Sequence, residues 1–333
     1  MKRALPATLA VSVVIALLAT LPMWLTNTYY VNVASQVLFW AIFALGLNVL
    51  VGYAGLTSLG HAALFAMSAY TAAIVVTAGG GHLFGALAAI VATMTTAALF
   101  AVLALRATGI GFLMITLALG QIVWGVAYRW AGLTNGDNGI NFNSRPQPFG
   151  IELTSAPAFY YGVLLVFLTA VVSMAVFVHS PLGAAVRGTR DQPRRMTALG
   201  YNVWLVRFVA FIVSGFWTAV AGLLFLYYNQ FISPQVAALQ TSAEALLMVI
   251  SGGSATILGP IAGAAIVVIM KNVVSAYVER WNMVLGIIFV LIISFMPEGL
   301  VPGVSRLVRA LWTKRSGVKV NEPAAKPATG AQS

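Results

Sequence analysis

Two short segments of this 333-residue chain combine glycine with polar side chains inside long apolar runs. The first extends from Gly52 to His61 and the second from Ser251 to Pro260. Non-helical backbone at membrane depth is tolerated only where it packs inside protein or lines a wet cavity, and transporters often place such breaks near the path of the solute. The chemistry predicted for these residues is therefore weak binding and passage of a solute. Close helix packing and turns at the membrane surface are the alternative interpretations.

The residues predicted to line this path come from both segments and from neighbouring apolar runs. A lone histidine inside a span commonly serves packing, and threonine or glutamine can hydrogen-bond between helices for stability alone. A structural role for His61, Thr116 and Gln121 is therefore the alternative prediction. The full set of predicted path residues is Gly52, Tyr53, Gly55, Ser58, His61, Thr116, Gln121, Gly252 and Gly253.

The sequence contains no catalytic signature. A Walker A phosphate loop needs a Gly-Lys dipeptide, which does not occur, and neither G-x-S-x-G nor H-E-x-x-H is present. Zero cysteines and only three histidines argue against a metal cluster. The seven acids lie in loops, in the tail or near span ends, which argues against a carboxylate proton relay. We expect a transporter and not an enzyme, with no cofactor in this chain, so that any ATP must bind to another chain.

The most basic interior segment covers residues 180–204, with four arginines and a single acid. A basic loop between two spans marks the cytoplasmic side of a membrane and offers a surface to a cytoplasmic partner. The alternative interpretation is that the arginines only set the topology. Pro193 suits the first turn of a helix and not its interior, so we expect a break near Gln192 and a short helix from Pro193 to about Leu199. Gly200 would then cap that helix.

The composition identifies the fold class. The chain is 60% hydrophobic and 8% charged, with a mean hydropathy of +0.94, whereas soluble domains have about 25% charged residues. Several apolar runs reach the roughly 20 residues that a helix needs to cross a bilayer. The sequence predicts an all-α polytopic membrane protein with about ten transmembrane helices, some of them short or broken. The predicted spans are 6–25, 30–50, 56–76, 83–105, 109–130, 158–178, 206–228, 245–258, 260–277 and 283–300, in a single domain of residues 1–315 followed by a disordered tail, 316–333.

Positive charge predicts the orientation of these spans. If both termini are cytoplasmic, 14 of the 18 lysines and arginines fall on the cytoplasmic side, and Lys271 lies inside a span. The net charge of +11 is thus explained by topology and not by nucleic acid. External surfaces are expected at residues 131–157, which contain a run of turn formers, and at residues 229–244.

Several motifs occur in an order that is typical of one family. Residues 52–70, GYAGLTSLGHAALFAMSAY, strongly resemble the membrane subunits of branched-chain amino acid ABC importers, and in particular the second of their two permeases. Each match is weak alone, but the common order is specific and covers roughly residues 30–300. The further matching segments are 106–118, 133–139, 180–202, 232–234 and 252–260.

The resemblance implies one subunit of a heteromeric importer in the bacterial inner membrane. Its partners would be a second permease, two cytoplasmic ATPases that bind ATP and Mg, and a periplasmic solute-binding protein. Relatives of this subunit also serve urea, amides and small aromatic acids, so these substrates remain open. A gradient-driven carrier or channel acting alone is the alternative of another class. Residues 180–204 would form the coupling loop, with coupling residues Gly183, Arg187, Arg190, Asp191, Ala198 and Gly200.

The chain departs from the family pattern at three places, one of which is Asn135 in the outer loop, where the family commonly has glycine. The coupling loop has the run Arg190-Asp191-Gln192-Pro193, followed by two arginines, where the family has more acids and two alanines. This change predicts an ATPase surface that is more acidic than usual. Lys271 stands where the family is usually apolar or has proline. These departures bear on the substrate more than on the class of transport.

Overall fold

The computed structural model describes residues 17–24, 27–142, 155–278, 280–296, 299–303 and 306. These residues form an all-α bundle with one two-stranded sheet, which confirms the predicted fold class. Most of the predicted first span, the middle of the external loop 131–157 and the predicted disordered tail, 316–333, lie outside the described residues.

The helices follow the order that hydropathy predicts. Residues 17–24 form α1. A π-helical segment, Val49–Ala54, extends α2, short 3-10 turns cover Gly136–Asn138 and Pro234–Ala237, and the strands are β1 (Ile140–Asn141) and β2 (Phe231–Ile232). The other helices are α2 (Thr28–Asn48), α3 (His61–Thr77), α4 (His82–Ala104), α5 (Ile110–Arg129), α6 (Ala131–Thr134), α7 (Ala156–His179), α8 (Pro181–Asp191), α9 (Pro193–Ala198), α10 (Val203–Asn229), α11 (Leu239–Gly252), α12 (Leu258–Val274) and α13 (Trp281–Phe295).

Five helices in the described part of the chain are long and apolar enough to cross a membrane. They are α2 with its π-helical extension, α4, α5, α7 and α10, while the apolar helices α3 and α12 are shorter, with 17 residues each. Large apolar side chains on α4, α5 and α7 are exposed, for example Leu83, Ile110 and Leu165. Because such a surface is stable only against lipid or another protein, the chain is a multi-pass membrane protein.

Helix α2 forms the centre of the bundle. Its most apolar part is almost entirely buried, and it packs against α7, α10 and α12. Trp40 of α2 stacks on Phe65 of α3 with ring centroids 5.5 Å apart, and Phe43 meets the same ring at 4.8 Å. Gly222 of α10 lies against the Phe65 carbonyl, where a Cβ would clash. Small residues at such crossings let helix backbones approach closely, which stabilises packing inside a membrane.

The two ends of the bundle differ in structure. At one end, called the sheet end here, β1 pairs antiparallel with β2, with Ile140 opposite Ile232. This pairing joins the two predicted external segments. At the other end, called the coupling end, α8 and α9 connect α7 to α10. The π-helical extension of α2 contacts α8 at the coupling end.

Most predicted span boundaries agree with the helices to within a few residues, but two do not. The predicted eighth span, 245–258, is wrong, because α11 begins at Leu239 and ends at Gly252. The first residues of α11 resemble a polar loop in the sequence, yet Ser242 and Glu244 bond partners within the bundle. The predicted third span begins too early, since residues 55–60 have no regular secondary structure and α3 starts at His61.

The close approach at Gly222 predicts different effects for two glycine substitutions. Gly222→Ala would place a Cβ against the Phe65 carbonyl and 3.1 Å from the Ser68 Cβ, so we expect a loss of about 1–3 kcal/mol of stability. Gly125→Ala on α5 is the matched control, since nothing lies within 4 Å of its Cβ position. Thermal unfolding of the chain in detergent measures both. Equal unfolding midpoints for the two variants would contradict this account of the α3–α10 packing.

Candidate functional site

The two glycine-interrupted segments meet at the side chain of Asn48, the last residue of α2. Its Nδ2 donates to the Thr256 carbonyl at 2.8 Å, and its Oδ1 accepts from the Ala255 N–H at 3.1 Å. Asn48 is 1% exposed, so both bonds form away from bulk water. One buried amide therefore satisfies a backbone donor and a backbone acceptor of the second segment and ties the two segments into one junction.

The first segment leaves the helical conformation in two steps. After Asn48 the helix widens into the π-helical turn Val49–Ala54, a feature that is frequent at functional sites. Gly55 then adopts a left-handed conformation with φ 68°, and its N–H bonds to the Leu50 carbonyl. From there the chain has no regular secondary structure until His61, the first residue of α3. The segment thus changes direction without continuing α2.

The second segment turns from α11 into α12 within a few residues. Gly252 ends α11, Gly253 has φ 118° and Ala255 has φ 60°. The Thr256 hydroxyl donates to the Gly253 carbonyl at 2.8 Å and accepts from the Gly259 N–H at 3.0 Å. The bond from the Gly259 N–H satisfies a backbone donor at the start of α12, as a bond to the side chain of a capping residue does. A Cβ at Gly252 would meet the Gly259 carbonyl, so this contact requires glycine.

Gly52 lies where the two segments touch. A Cβ at this position would clash with the Asn48 amide and with the backbone of Ala255. Tyr53 beside it is 6% exposed. The glycines of both segments therefore pack backbone against backbone in a buried junction, as the packing interpretation of the sequence expects.

His61 is held between two serines. Its Nδ1 lies 2.8 Å from the Ser58 Oγ, and its Nε2 lies 2.8 Å from the Ser214 Oγ. The Ser214 hydroxyl gives its single hydrogen to the Gly46 carbonyl at 2.6 Å, so it accepts from the imidazole Nε2–H, and the Ser58 hydroxyl donates to Nδ1. With 0% exposure and both ring nitrogens partnered, His61 links α2, α3 and α10 through its hydrogen bonds.

Helices α5 and α11 support the start of α3. The Thr116 hydroxyl accepts from the Leu59 N–H at 3.2 Å, and the Ser242 hydroxyl accepts from the Ala62 N–H at 3.0 Å. These bonds satisfy backbone donors that the first turn of a helix leaves without intrahelical partners. Gln121 lies apart from this group, because its side chain is exposed on α5.

Arg190 connects α8 to the junction. This exposed arginine donates from Nη1 to the Gly52 carbonyl, and its Cγ lies 2.8 Å from the Cβ position of Gly55. Glycine at residue 55 therefore leaves the space that the arginine side chain occupies. Helix α8 thus bonds the first segment, and Asn48, which precedes that segment, bonds the second one. Residues that the sequence assigned to two separate roles, coupling and the solute path, are therefore physically joined.

The remaining predicted coupling residues divide into a packed group and an exposed group. Gly183 lies against the carbonyls of Phe177 and Val178, and the Arg187 guanidinium donates to the Val178 carbonyl at 2.7 Å. Both residues fix the angle between α7 and α8. The exposed group, which a partner can reach, consists of Asp191, Ala198 and Gly200.

The predicted break in the coupling loop is confirmed. Helix α8 ends at Asp191, Gln192 is non-helical with φ −145° and ψ 80°, and α9 begins at Pro193. Gly200 follows α9 with φ 87°, and its N–H bonds to the Thr197 carbonyl at 3.0 Å, as expected of a capping glycine. The proline therefore splits the coupling loop into two short helices, and the second one presents exposed arginines.

An ion pair joins Glu244 of α11 to Lys271 of α12 at 3.4 Å, near the sheet end. Within the described ranges, no three His, Asp or Glu side chains come close enough to hold a metal ion. The described site therefore offers hydrogen bonding, packing and one charged pair as its chemistry.

Sequence reasoning missed Ser214 and Ser242, two of the side chains that organise the junction and the start of α3. For Asn48 a signal existed, because a span accommodates an amide only with a partner and this one directly precedes a glycine-interrupted segment. The partners of Ser214 and Ser242 lie 168 and 180 residues away in the sequence, so no local pattern identifies them.

Removal of the Asn48 amide tests the junction. Asn48→Ala leaves a buried N–H and a buried carbonyl without partners, so we expect a loss of about 1–3 kcal/mol for each group. Hydrogen–deuterium exchange should accelerate in residues 49–60 and in residues 253–258 together. Asn229→Ala is the control, because that exposed amide bonds only the Phe225 carbonyl of its own helix, at 3.1 Å. Exchange that rises in neither segment of Asn48→Ala would refute the junction.

Known proteins of one kind match this chain. The sequence model of the family described as "branched-chain amino acid transport system / permease component" matches residues 29–293. The high-affinity branched-chain amino acid transport system permease protein LivM of Salmonella typhimurium is 29% identical over 303 residues, covering 82% of this chain and 70% of LivM. LivM of Escherichia coli K12 is 28% identical over 301 residues with the same coverage. LivH of Salmonella typhimurium is 22% identical over 296 residues, covering 78% of this chain and 90% of LivH.

No solved structure matches the chain at a significant level. The family match includes both glycine-interrupted segments, the coupling helices and all but the two ends of the membrane domain. The chain therefore belongs to the family of permease components of branched-chain amino acid transport systems.

Proposed function

We propose that the chain is one permease subunit of an ATP-driven importer for branched-chain amino acids in the bacterial inner membrane. It would work with a second permease, two cytoplasmic ATPases that bind ATP and Mg, and a periplasmic solute-binding protein. The family match and the names of the LivM and LivH relatives support this assignment. The observation that carries it is the bond from Arg190 to the Gly52 carbonyl, because it joins an exposed helix to the buried junction.

The energy source is proposed to reside on other subunits. The sequence has no Gly-Lys dipeptide and thus no Walker A loop. This chain would therefore bind no ATP, and it would act as a transporter subunit and not as an enzyme. Helices α8 and α9 supply the surface that an ATPase needs in order to move the membrane helices. Exposed Arg194 and Arg195 on α9 favour an acidic partner surface.

Charge supports an orientation in which the coupling end faces the cytoplasm. On that side the sequence would place 14 of its 18 lysines and arginines, together with both termini. The sheet end would then face the periplasm, where the binding protein delivers its solute. The segments joined by the β1–β2 pairing would be the surface that the binding protein meets.

The bonds at the junction support a route by which α8 moves two membrane helices at once. Arg190 holds the Gly52 carbonyl, and the Asn48 amide holds the backbone of the second segment. Helices α3 and α12 start immediately after the two segments. Because a packed junction responds as a rigid body and does not deform continuously, a shift of α8 would displace both helix starts together.

The exposed face of α5 is proposed to line the solute path. Gln121 lies near the middle of this 20-residue helix with its side chain exposed. A polar amide facing hydrocarbon is costly, so this face suits a second permease or a water-filled path better than lipid. The other predicted path residues would act indirectly, by shaping the junction. They are Gly52, Tyr53, Gly55, Ser58, His61, Thr116, Gly252 and Gly253.

Uptake by the reconstituted complex tests the proposed function. Proteoliposomes with both permeases and the ATPases are expected to take up L-leucine only when the binding protein is outside and ATP is on the ATPase side. A panel with urea, amides and small aromatic acids tests the alternative substrates. Uptake that survives removal of the ATPases and collapses with the proton gradient would identify a gradient-driven carrier instead.

Arg190→Gln tests the contact that transmits movement. Loss of a charge-assisted bond to the Gly52 carbonyl should lower leucine uptake per ATP hydrolysed by roughly tenfold, while ATP hydrolysis continues. Arg106→Gln is the matched control, since Arg106 is an exposed arginine between α4 and α5. An unchanged ratio of uptake to hydrolysis in Arg190→Gln would remove this arginine from the coupling route.

A further inference from the structure

A cavity of about 260 Å³ lies near the sheet end, between α2, α10, α11, α12 and the 3-10 turn Pro234–Ala237. Both members of the Glu244–Lys271 ion pair line it. Pockets for drug-sized ligands have volumes of about 300–1,000 Å³, so this cavity suits a smaller solute. Neither charged residue takes part in the junction or in the contact with α8.

The two charges on the cavity wall are only loosely paired. The Lys271 Nζ lies 3.4 Å from the Glu244 Oε2, and the Gln240 amide donates to the Glu244 Oε1 at 3.3 Å. Charge-assisted bonds of this kind are usually about 2.7–2.9 Å long. The Glu244 side chain is 9% exposed, whereas the Lys271 side chain is 45% exposed, so the ammonium group can shift while the carboxylate stays in place.

Two aromatic side chains line the same cavity as these charges. Trp40 and Phe225 both line it, with ring centroids 6.3 Å apart in an edge-to-face arrangement. Trp40 also stacks on Phe65 at 5.5 Å, which holds the indole in a fixed orientation. The cavity thus presents one negative group, one positive group and a rigid apolar surface.

We propose that this cavity binds a zwitterionic amino acid with an apolar side chain. The α-ammonium group would pair with Glu244, the α-carboxylate with Lys271, and the side chain would contact Trp40 and Phe225. The inference rests on the proposed function, which places the cavity on the side from which the solute arrives. It adds a solute-binding site within the permease itself, at the entrance to the membrane.

Chemical complementarity favours a zwitterion over other small solutes. A solute with only one charge can replace only one half of the Glu244–Lys271 pair, and the Glu244 carboxylate, whose side chain is 9% exposed, is costly to leave without a cation. A zwitterion replaces both halves of the pair at once.

Competition binding on the unmodified complex tests the site without any substitution. Tritiated L-leucine would be titrated onto the full complex in nanodiscs, without binding protein. L-Leucinamide, which lacks the carboxylate, and 4-methylpentanoate, which lacks the ammonium, should each compete at least about tenfold more weakly than unlabelled L-leucine. Equal competition by all three compounds, or no saturable leucine binding up to millimolar concentrations, overturns the proposal.

Two variants locate the binding in this cavity. Lys271→Met should weaken leucine binding about tenfold or more and remove the preference for leucine over leucinamide, because the partner of the carboxylate is lost. Arg280→Met, which removes an exposed cation beyond α12, is the control and should bind as the unmodified complex does. Unchanged leucine affinity and selectivity in Lys271→Met overturns the proposal.

The exchanged pair E244K/K271E separates binding from folding. It restores an ion pair between α11 and α12, so thermal stability should recover, but the reversed charges would turn the side chain of the solute away from Trp40 and leave leucine binding weak. Full recovery of leucine binding would mean that the pair serves structure alone. ATP-driven leucine uptake that persists at unchanged KM in the cavity variants overturns the site and leaves the proposed function intact. Absence of such uptake in the unmodified complex overturns the proposed function, while the binding titration still decides the site.

Discussion

The hydrogen bonds of the Asn48 amide are the interaction on which the rest of the structure depends. Where a membrane helix is interrupted, backbone groups lose their helical partners, and hydrocarbon offers no water to replace them. Asn48 supplies both a donor and an acceptor to the second segment from the end of α2. Since one side chain at the end of α2 satisfies a backbone donor and a backbone acceptor of the second segment, the two segments cannot separate without leaving buried polar groups unpaired. Two local interruptions therefore become one structural unit.

The contacts around this unit explain why it can respond to a distant partner. Glycine at residue 52 lets the two segments touch, and its carbonyl accepts from Arg190 of α8. His61 links three helices behind the junction through Ser58 and Ser214. Neutral hydrogen bonds and backbone packing hold the interior, while charge is concentrated in α8 and α9. Under the proposed function, movement would enter through an exposed basic helix and pass inward without a charge having to cross the membrane core.

Much of this architecture could be predicted from local pattern, and the reasons are physical. Hydropathy identifies α2, α4, α5, α7 and α10 because each must bury about 20 apolar residues in one segment. Pro193 predicts the break between α8 and α9 because its ring fits the first turn of a helix and not its interior. Both rules act on neighbouring residues, so a single sequence contains all the information they need.

The features that could not be predicted depend on partners far away in the chain. Helix α11 was placed too late because Glu244 resembles a loop residue until Lys271, on the next helix, is known to pair with it. His61 has the same appearance in the sequence whether it lines a path or links helices, and only Ser214, 153 residues later, decides between them. The same reasoning applies to Gln36, whose amide bonds both Tyr228 and Asn272.

The distribution of polar groups supports placing the proposed coupling route and the proposed binding site in different parts of the chain. The junction is neutral and closed by backbone contacts at Gly52 and Gly252, so it suits the transmission of movement better than the binding of a charged solute. The cavity at the sheet end has the opposite character, with a carboxylate, an ammonium group and aromatic side chains on its walls. A permease that receives solute from a soluble protein needs only weak and reversible binding, because tight binding would slow release. A loosely closed ion pair near the entrance would provide the weak binding, and the rigid junction below it would transmit the movement, within one chain.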